Sequence, residues 1–539
     1  MKFETLKQLF THSVKTYAKN TALSMFERDS MTYGEMADRV KYVSELLSGA
    51  GVGQGDKVVL LSSSMPNWGV CYFAAVCSGM VIVPVLPDFS GAELDKIIAH
   101  SEAKALCVSD KLYTKLSEET ISRMNIVIRT KNLGVLNRTV EESVPTVEPK
   151  PEDLAAIIYT SGTTSTPKGV MLTQRALATQ VELCYDMQNV DENDVFLSIL
   201  PLAHTYECSL GLLLPISHGS QVVYLDRPPT ASALMPAFKK VRPTIILSVP
   251  LIMEKVFRSQ VKGRFTKTKF MTSIYSVGIF RKLLHRVAGV AMKKLFGGRV
   301  RFFGIGGAKA DFETERFMRE AHFPYAIGYG LTETAPLLYG AVPSKTRLQA
   351  VGYPALHVEG KLINQNPDTG EGELVVKTPC IMEGYYKNPE ATAEAFTEDG
   401  YFRTKDLCLF DKKGYLVIKG RANNMIVGAS GENIYPEEIE SVLNSHRLVT
   451  ESIVVADKGT LVALVALDKE KLEEALSEFK DNVSAKYDEI MRDIREYVNS
   501  RVGKFARVSQ VEEQKEGFEK TPTMKIKRFL YRRDKKKRI

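Results

Sequence analysis

Residues 159 to 169 read "YTSGTTSTPKG", with six Ser or Thr, two glycines and one lysine in eleven positions. This composition suits phosphate. Backbone amides around Gly162 and the hydroxyls of Thr160, Ser161, Thr163 and Thr164 can surround phosphate oxygens, and Lys168 supplies a compact cation. The Walker pattern is excluded, because it needs Gly-Lys followed by Ser or Thr, whereas Pro167 precedes Lys168 and Gly169 follows it. On its own the stretch reads equally as a solvated Ser/Thr turn. Further stretches bear reactive side chains: "GYGLTET" (328–334), "YFRTKDL" (401–407) with "KGRANNMIVGASGENIYPEEIE" (419–440) close behind it, and "EKTPTMKIKR" (519–528).

Elements that could position these residues show in the hydrophobic pattern. "KVVLLSSS" (57–64), "VIVPV" (81–85), "AIIYTS" (156–161), "VFLSIL" (195–200), "QVVYL" (221–225), "TIILSV" (244–249) and "VRFFGIGG" (300–307) are apolar and β-branched, with helical segments such as Ala92–His100 and Gln174–Met187 between them. That alternation predicts an α/β protein of mostly parallel sheets flanked by helices. The 159–169 stretch follows one strand and precedes a helix that Thr173 could cap. A strand–loop–helix unit puts such a loop at the carboxyl edge of a sheet, where ligands bind. Beyond about residue 340 come short strands with Gly-containing turns, and beyond Gly420 a helix, two strands and charged helices. The expected organisation is a large N-terminal domain over 1–420, with a small β-subdomain at about 340–420, and a smaller mobile α+β domain over 421–539.

Composition bounds the function. The chain has 539 residues, so roughly two to four domains are expected. Seven scattered cysteines without a Cys-x-x-Cys pair suit a reducing compartment and argue against a zinc site or a disulfide scaffold. The net charge of +8 is concentrated: Lys255 to Arg301 carries thirteen Lys or Arg and no Asp or Glu, and Lys525 to Ile539 carries nine against Asp534 alone. The chain opens on an amphipathic helix with Phe3, Leu6, Leu9 and Phe10 on one side, not on a secretory signal. Gly69 to Pro87 is uncharged and near the length of a membrane span. Ser78-Gly79 and Pro84 divide it, which favours a buried helix followed by a buried strand.

Together and in this order, the motifs resemble those of the adenylate-forming superfamily of acyl-CoA synthetases, adenylation domains and luciferases, most closely its long-chain fatty acid–CoA ligases. The resemblance spans essentially the whole chain. It implies ATP, Mg²⁺ and CoA as cofactors and substrates, with roles for particular residues. "YTSGTTSTPKG" matches the loop that holds the ATP phosphates. Tyr329 would stack on adenine beside Gly330, Thr332 would bond the α-phosphate, and Glu333 would coordinate Mg²⁺. "GIGGAKA" (304–310) would border adenine and the acyl group through Gly306, Gly307 and Ala308. Asp406 and Arg421 match ribose contacts, Asn423 the hinge, Gly431 and Glu432 the loop on the CoA route, and Lys525 the catalytic lysine. The family usually has Gly where Ser165 and Lys405 stand, and Asp or Lys where Asn423 stands.

The chemistry explains why such residues are needed. A carboxylate is a poor acyl donor until it is joined to AMP, and that step brings two anions together. Lys168, Lys525 and Mg²⁺ at Glu333 would offset the repulsion. "LPLAHTYE" (200–207) resembles the fatty acid ligases' acyl-pocket motif. His204 would stand near the carboxylate end of the acid, or serve as a hydrogen-bonded core histidine. The basic stretch 255–301 includes Phe257, Phe265, Phe270, Ile274, Tyr275, Ile279, Phe280 and Leu283 among Lys267, Lys269, Arg281 and Lys282. It reads either as an ordinary solvated face or as a peripheral contact with anionic membrane. No nucleic-acid recognition module is visible. The expected protein is cytoplasmic or peripheral on the inner face of the membrane. Its acyl acceptor would be CoA or an acyl carrier protein. A non-catalytic adenylate-binding scaffold is the third reading, suggested by Ser165, Lys405 and Asn423.

Overall fold

A computed structural model describes residues 2–160, 167–428, 433–457, 459–477, 483–522 and 525–533. The chain groups into two compact units. One comprises Met1–Ala308, Phe312–Gly360 and Val376–Phe402, and the other Lys309–Asp311, Lys361–Val375 and Arg403–Ile539.

The first unit is α/β and contains two large sheets. In the seven-stranded sheet the strands run in the order Tyr325–Ile327, Phe302–Ile305, Ile245–Ser248, Val195–Ser198, Gln221–Tyr224, Thr21–Met25 and Ser30–Thr32. Every neighbouring pair is parallel except the last. The eight-stranded sheet runs Gly384–Tyr385, Lys168–Thr173, Leu154–Thr160, Val81–Pro84, Lys57–Leu61, Ala103–Val108, Ile126–Arg129 and Val135–Arg138. Its middle pairs are parallel and its outer ones antiparallel. Central strands such as Ile245–Ser248 and Val81–Pro84 are buried along their whole length. Helices cover both faces, which explains their continuous apolar composition.

Local signals set the helix starts. Thr32 and Ser90 form capping boxes with Glu35 and Glu93. Thr173 caps Gln174–Met187 by accepting the Ala176 amide. The opening helix runs Leu6–Tyr17 and buries Leu6, Leu9 and Phe10, while Phe3 precedes it. The uncharged window after Gly69 divides between the buried helix Pro66–Val76 and the buried strand Val81–Pro84. Among the described residues no helix is long and apolar enough to cross a membrane.

In the second unit a four-stranded sheet holds Phe402–Phe410 against Leu416–Arg421. A three-stranded sheet joins Val449–Asp457, Thr460–Leu467 and Gln510–Glu513. "TLVALVAL" is apolar at both parities because both faces of this sheet are covered. Leu461, Ala463 and Val465 pack into a core with helices Pro436–Leu443 and Val483–Asn499, while Val462, Leu464 and Ala466 pack against Phe518 on the other side.

Candidate active site

Three of the stretches singled out by sequence follow the carboxyl ends of strands in the seven-stranded sheet. Residues 200–207 follow Val195–Ser198, Gly306–Ala308 follow Phe302–Ile305, and Tyr329–Glu333 follow Tyr325–Ile327. That edge is where open α/β sheets bind ligands.

The 159–169 stretch corrects one expectation. It does not link a strand to a helix; it joins two antiparallel strands, Leu154–Thr160 and Lys168–Thr173, with Thr160 paired to Lys168. "KGVMLT" is long and apolar enough to extend the sheet, so the helix starts only at Gln174. The helix N-terminus therefore lies beyond the second strand rather than directly after the stretch, and Lys168 stands at the start of that strand. The strand before it still runs parallel to Val81–Pro84, so Thr160 ends that strand at the carboxyl edge. Ser161, Gly162, Thr163, Thr164 and Ser165 lie outside the described residues, as do Gly431, Glu432 and Met524.

A residue that the sequence reading missed joins two of these motifs. Tyr385 sits in the short edge strand Gly384–Tyr385, paired to Val170 and Met171. Its hydroxyl donates to Glu333 Oε1 at 2.8 Å, and Lys168 Nζ lies 4.8 Å from its ring centroid. Burial and then the Glu333 charge push the phenol well above its ordinary range, so it is a donor at neutral pH. The Met382 amide donates to the Glu333 carbonyl at 2.9 Å. Tyr385 thus ties the lysine of the first motif to the carboxylate of the second. The only trace of this in the sequence is "GYYKNPEAT" itself.

The turn holding Glu333 is tightly specified. Leu331 donates its amide to Thr334 Oγ1 at 3.1 Å, and Thr334 Oγ1 donates to the Pro336 carbonyl at 2.7 Å. A Cβ on Gly330 would lie 1.7 Å from that same carbonyl oxygen, so only glycine fits there. Thr332 accepts from the Thr205 hydroxyl at 3.4 Å, which connects the turn to the 200–207 stretch. Tyr329 is half-buried, its ring centroid 6.5 Å from that of Tyr339. Glu333 presents one hard carboxylate, and Mg²⁺ is commonly held by one or two carboxylates plus substrate phosphates, so the residue fits that ion.

In 200–207, His204 caps the short helix Thr205–Cys208, its Nδ1 accepting the Tyr206 amide at 3.2 Å. That bond leaves the ring proton on Nε2. Tyr206 packs on the glycines of the neighbouring strand end: a Cβ on Gly304 would come within 3.0 Å of its hydroxyl, and one on Gly306 within 3.1 Å of its ring. Gly306 therefore accommodates Tyr206. Gly307 takes φ +84° and, with Ala308, is exposed at the strand end. Glu207, which sequence reasoning did not single out, is fully buried and accepts the Ser198 hydroxyl at 2.5 Å. Burial pushes its carboxyl up to about 8.

The second unit holds the other residues. Asp406 and Arg421 are cross-strand partners, Arg421 Nε lying 2.9 Å from Asp406 Oδ1. The Asp406 amide donates to Thr404 Oγ1 at 3.1 Å, and Thr404 is anchored on the Leu374 carbonyl. Lys405, within the strand Phe402–Phe410, takes φ +58°, the conformation a glycine would favour. Asn423 lies in a short 3₁₀ turn, and its carbonyl accepts from Arg532 at 3.3 Å. Lys525 is exposed, its amide donating to Thr521 Oγ1 at 3.2 Å and its carbonyl accepting the Thr521 amide at 2.7 Å. The neighbouring Lys520 and Lys527 face Glu451 and Glu519.

Comparison with known proteins finds family models and relatives that match this chain. The family model described as AMP-binding enzyme matches residues 10–386, and that of the AMP-binding enzyme C-terminal domain matches 438–525. The peroxisomal long chain acyl-CoA synthetase 7 of Arabidopsis thaliana is 30% identical, covering 87% of this chain and 74% of its own. A long-chain-fatty-acid–CoA ligase of Mycobacterium bovis is 29% identical, covering 82% and 78%. The 4-coumarate–CoA ligase CCL1 of Humulus lupulus is 27% identical, covering 93% and 88%. Among solved structures, the Bacillus subtilis o-succinylbenzoate coenzyme A synthetase in complex with ATP and magnesium ion shares the fold, with a TM-score of 0.77 at 22% identity over 97% of this chain and 98% of that one.

Proposed function

This chain belongs to the AMP-binding enzyme family, and from that premise we propose that it activates a long-chain fatty acid with ATP and transfers the acyl group to CoA. In the first step a carboxylate oxygen attacks the α-phosphorus, the bond to the β-phosphate breaks, and pyrophosphate leaves. In the second, the CoA sulfur attacks the acyl carbon, AMP leaves with the bonding electrons, and the thiol proton passes to solvent.

The observation that carries this reading is the Lys168–Tyr385–Glu333 array at the carboxyl edge of the sheets. Lys168 offsets polyphosphate charge, and Tyr385 holds the Glu333 carboxylate in one orientation. Magnesium, when bound, would be held by Glu333 and would stabilise charge on the phosphate oxygens. In this reading Thr160 and Thr332 bond phosphates, Tyr329 and Gly330 receive adenine, Gly307 and Ala308 leave it room, and Asp406 with Arg421 grips the ribose hydroxyls. Lys525 reaches the α-phosphate and the incoming carboxylate in the first step only, after which the residues from about 421 onward turn about Asn423. Gly431 and Glu432 then face the thiol route.

The fatty-acid preference rests on the 30% relative and on the form of "LPLAHTYE". The coumarate and succinylbenzoate enzymes show that related chains are named for other acids. The test is direct. Purified protein with ATP and Mg²⁺ is offered fatty acids, coumarate, benzoate or succinylbenzoate, with CoA or acyl carrier protein as acceptor. Pyrophosphate, AMP and thioester are then measured. The expected result is AMP and acyl-CoA from long-chain acids. ADP as product would reject adenylation, preferred turnover of the aromatic acids would reject the substrate class, and transfer to carrier protein alone would reject CoA.

A further inference from the structure

We propose that the exposed face of the helix Gly278–Leu295, together with Phe270 of the preceding helix, docks on the surface of an anionic lipid bilayer. Ile279, Leu283, Val287 and Val290 recur at intervals that place them on one stripe. All four face solvent, Ile279 at 80% exposure, and Phe280 flanks the stripe. Phe270, on the helix Lys269–Ser276, is 73% exposed. A solvated helix face would carry polar side chains here. Large apolar side chains grouped on an exposed surface mark an interaction site.

The opposite face is firmly held, so the stripe is not a core surface left open by loose packing. His285, Gly289 and Met292 are buried, and a Cβ on Gly289 would lie 2.5 Å from the Ala321 carbonyl oxygen. Arg281, one of the basic residues singled out by sequence, turns inward and pairs with Glu320 at 2.9 Å. Phe257 likewise belongs to the core.

Charge complementarity identifies the occupant. Lys282, Arg286 and Lys293 line one edge of the stripe, at the spacing of one helical row. They make no ion pair among the described residues, and no Asp or Glu occurs between Lys255 and Arg301. An apolar stripe bordered by cations is the pattern of helices that lie in a lipid interface, where side chains enter the acyl boundary and cations meet anionic headgroups. A second copy of the chain would bring like-charged edges together. A nucleic acid would meet its phosphates with an apolar centre. The inference is independent of which acid the enzyme activates.

The test uses the full-length protein in flotation with vesicles of phosphatidylcholine alone or mixed with phosphatidylglycerol. The parent should float with the anionic vesicles, not the neutral ones, and added salt should release it. Lys282→Gln/Arg286→Gln/Lys293→Gln should partition about 100-fold more weakly, at roughly one kilocalorie per headgroup-facing charge. Leu283→Gln/Val287→Gln should lose roughly tenfold or more. Both variants should keep the parent's thermal midpoint and its lipid-free activity, because Lys282, Leu283, Arg286 and Val287 are exposed and Lys293 is half-buried without an ion pair among the described residues. The proposal is overturned if the parent stays soluble beside anionic vesicles, if it floats equally with neutral ones, or if both variants float like the parent. A concentration-dependent dimer that the apolar variant dissolves would instead assign the face to a second copy.

Discussion

Replacing Tyr385 by Phe removes one oxygen and leaves the ring. In the structure that oxygen donates to Glu333 at 2.8 Å, while the ring is what Lys168 faces at 4.8 Å. The substitution therefore separates two roles of one residue. A hydrogen bond to a charged group contributes about 1.5–3 kcal/mol, and loss of a partner that orients a metal ligand typically costs about 10–100-fold in metal affinity or activity. Tyr385→Phe should thus raise the Mg²⁺ concentration for half-maximal pyrophosphate release by about tenfold or more, with little change in ATP affinity measured calorimetrically without metal. Tyr385→Leu should also remove the cation–π contact, about 0.5–2 kcal/mol, and weaken metal-free ATP binding. The assay is a Mg²⁺ titration of pyrophosphate release, with thermal unfolding alongside to show that both variants fold. A Tyr385→Phe titration that superimposes on the parent's would refute the reasoning, since Glu333 would then need no orienting partner.

Other expectations follow from single positions. Glu333→Gln should weaken Mg²⁺-dependent adenylation while sparing the fold; an unchanged Mg²⁺ titration sinks the assignment. Lys405→Gly should raise stability to urea by about 1 kcal/mol, because φ +58° is costly for a side chain; a lower urea midpoint would show that the lysine side chain more than offsets that cost. Glu207 titrates near 8 in the folded protein, far above an unfolded glutamate at about 4.3. Its contribution to stability is therefore complete below about pH 4.3 and is lost as pH rises through about 8, at up to about 1.4 kcal/mol per pH unit. Glu207→Gln should flatten the fall of the thermal midpoint across that window, and a parallel pair of curves would contradict the burial argument.

Much of this fold was legible because its signals are local. Strands such as "TIILSV" and "QVVYL" are apolar and short, and the helix start at Gln174 is marked by Thr173. The error at 159–169 came from "GVMLTQRALATQ", where a strand and a helix adjoin without a turn between them, so periodicity alone ran them together. Tyr385 was not legible because its partners, Glu333 and Lys168, are far away in sequence and "GYYKNPEAT" carries no distinctive chemistry. Glu207 was missed for a related reason: a glutamate next to a tyrosine looks like surface, and only its packing against Ser198 in the fold makes it a buried acid. Arg281 shows the limit of counting charge, since a basic run says nothing about which members face inward.

The central claim is that acid and ATP are first joined, and that Lys525 serves this step alone. The decisive measurement takes Lys525→Ala through each half-reaction separately. Removing one charge that stabilises only the first transition state should cut pyrophosphate release from ATP and fatty acid by about 10²–10³-fold. Given pre-made acyl-AMP and CoA, the same variant should form acyl-CoA at close to the parent's rate. Equal slowing of both steps, or no slowing of the first, would contradict the account and turn attention to Lys520 and Lys527.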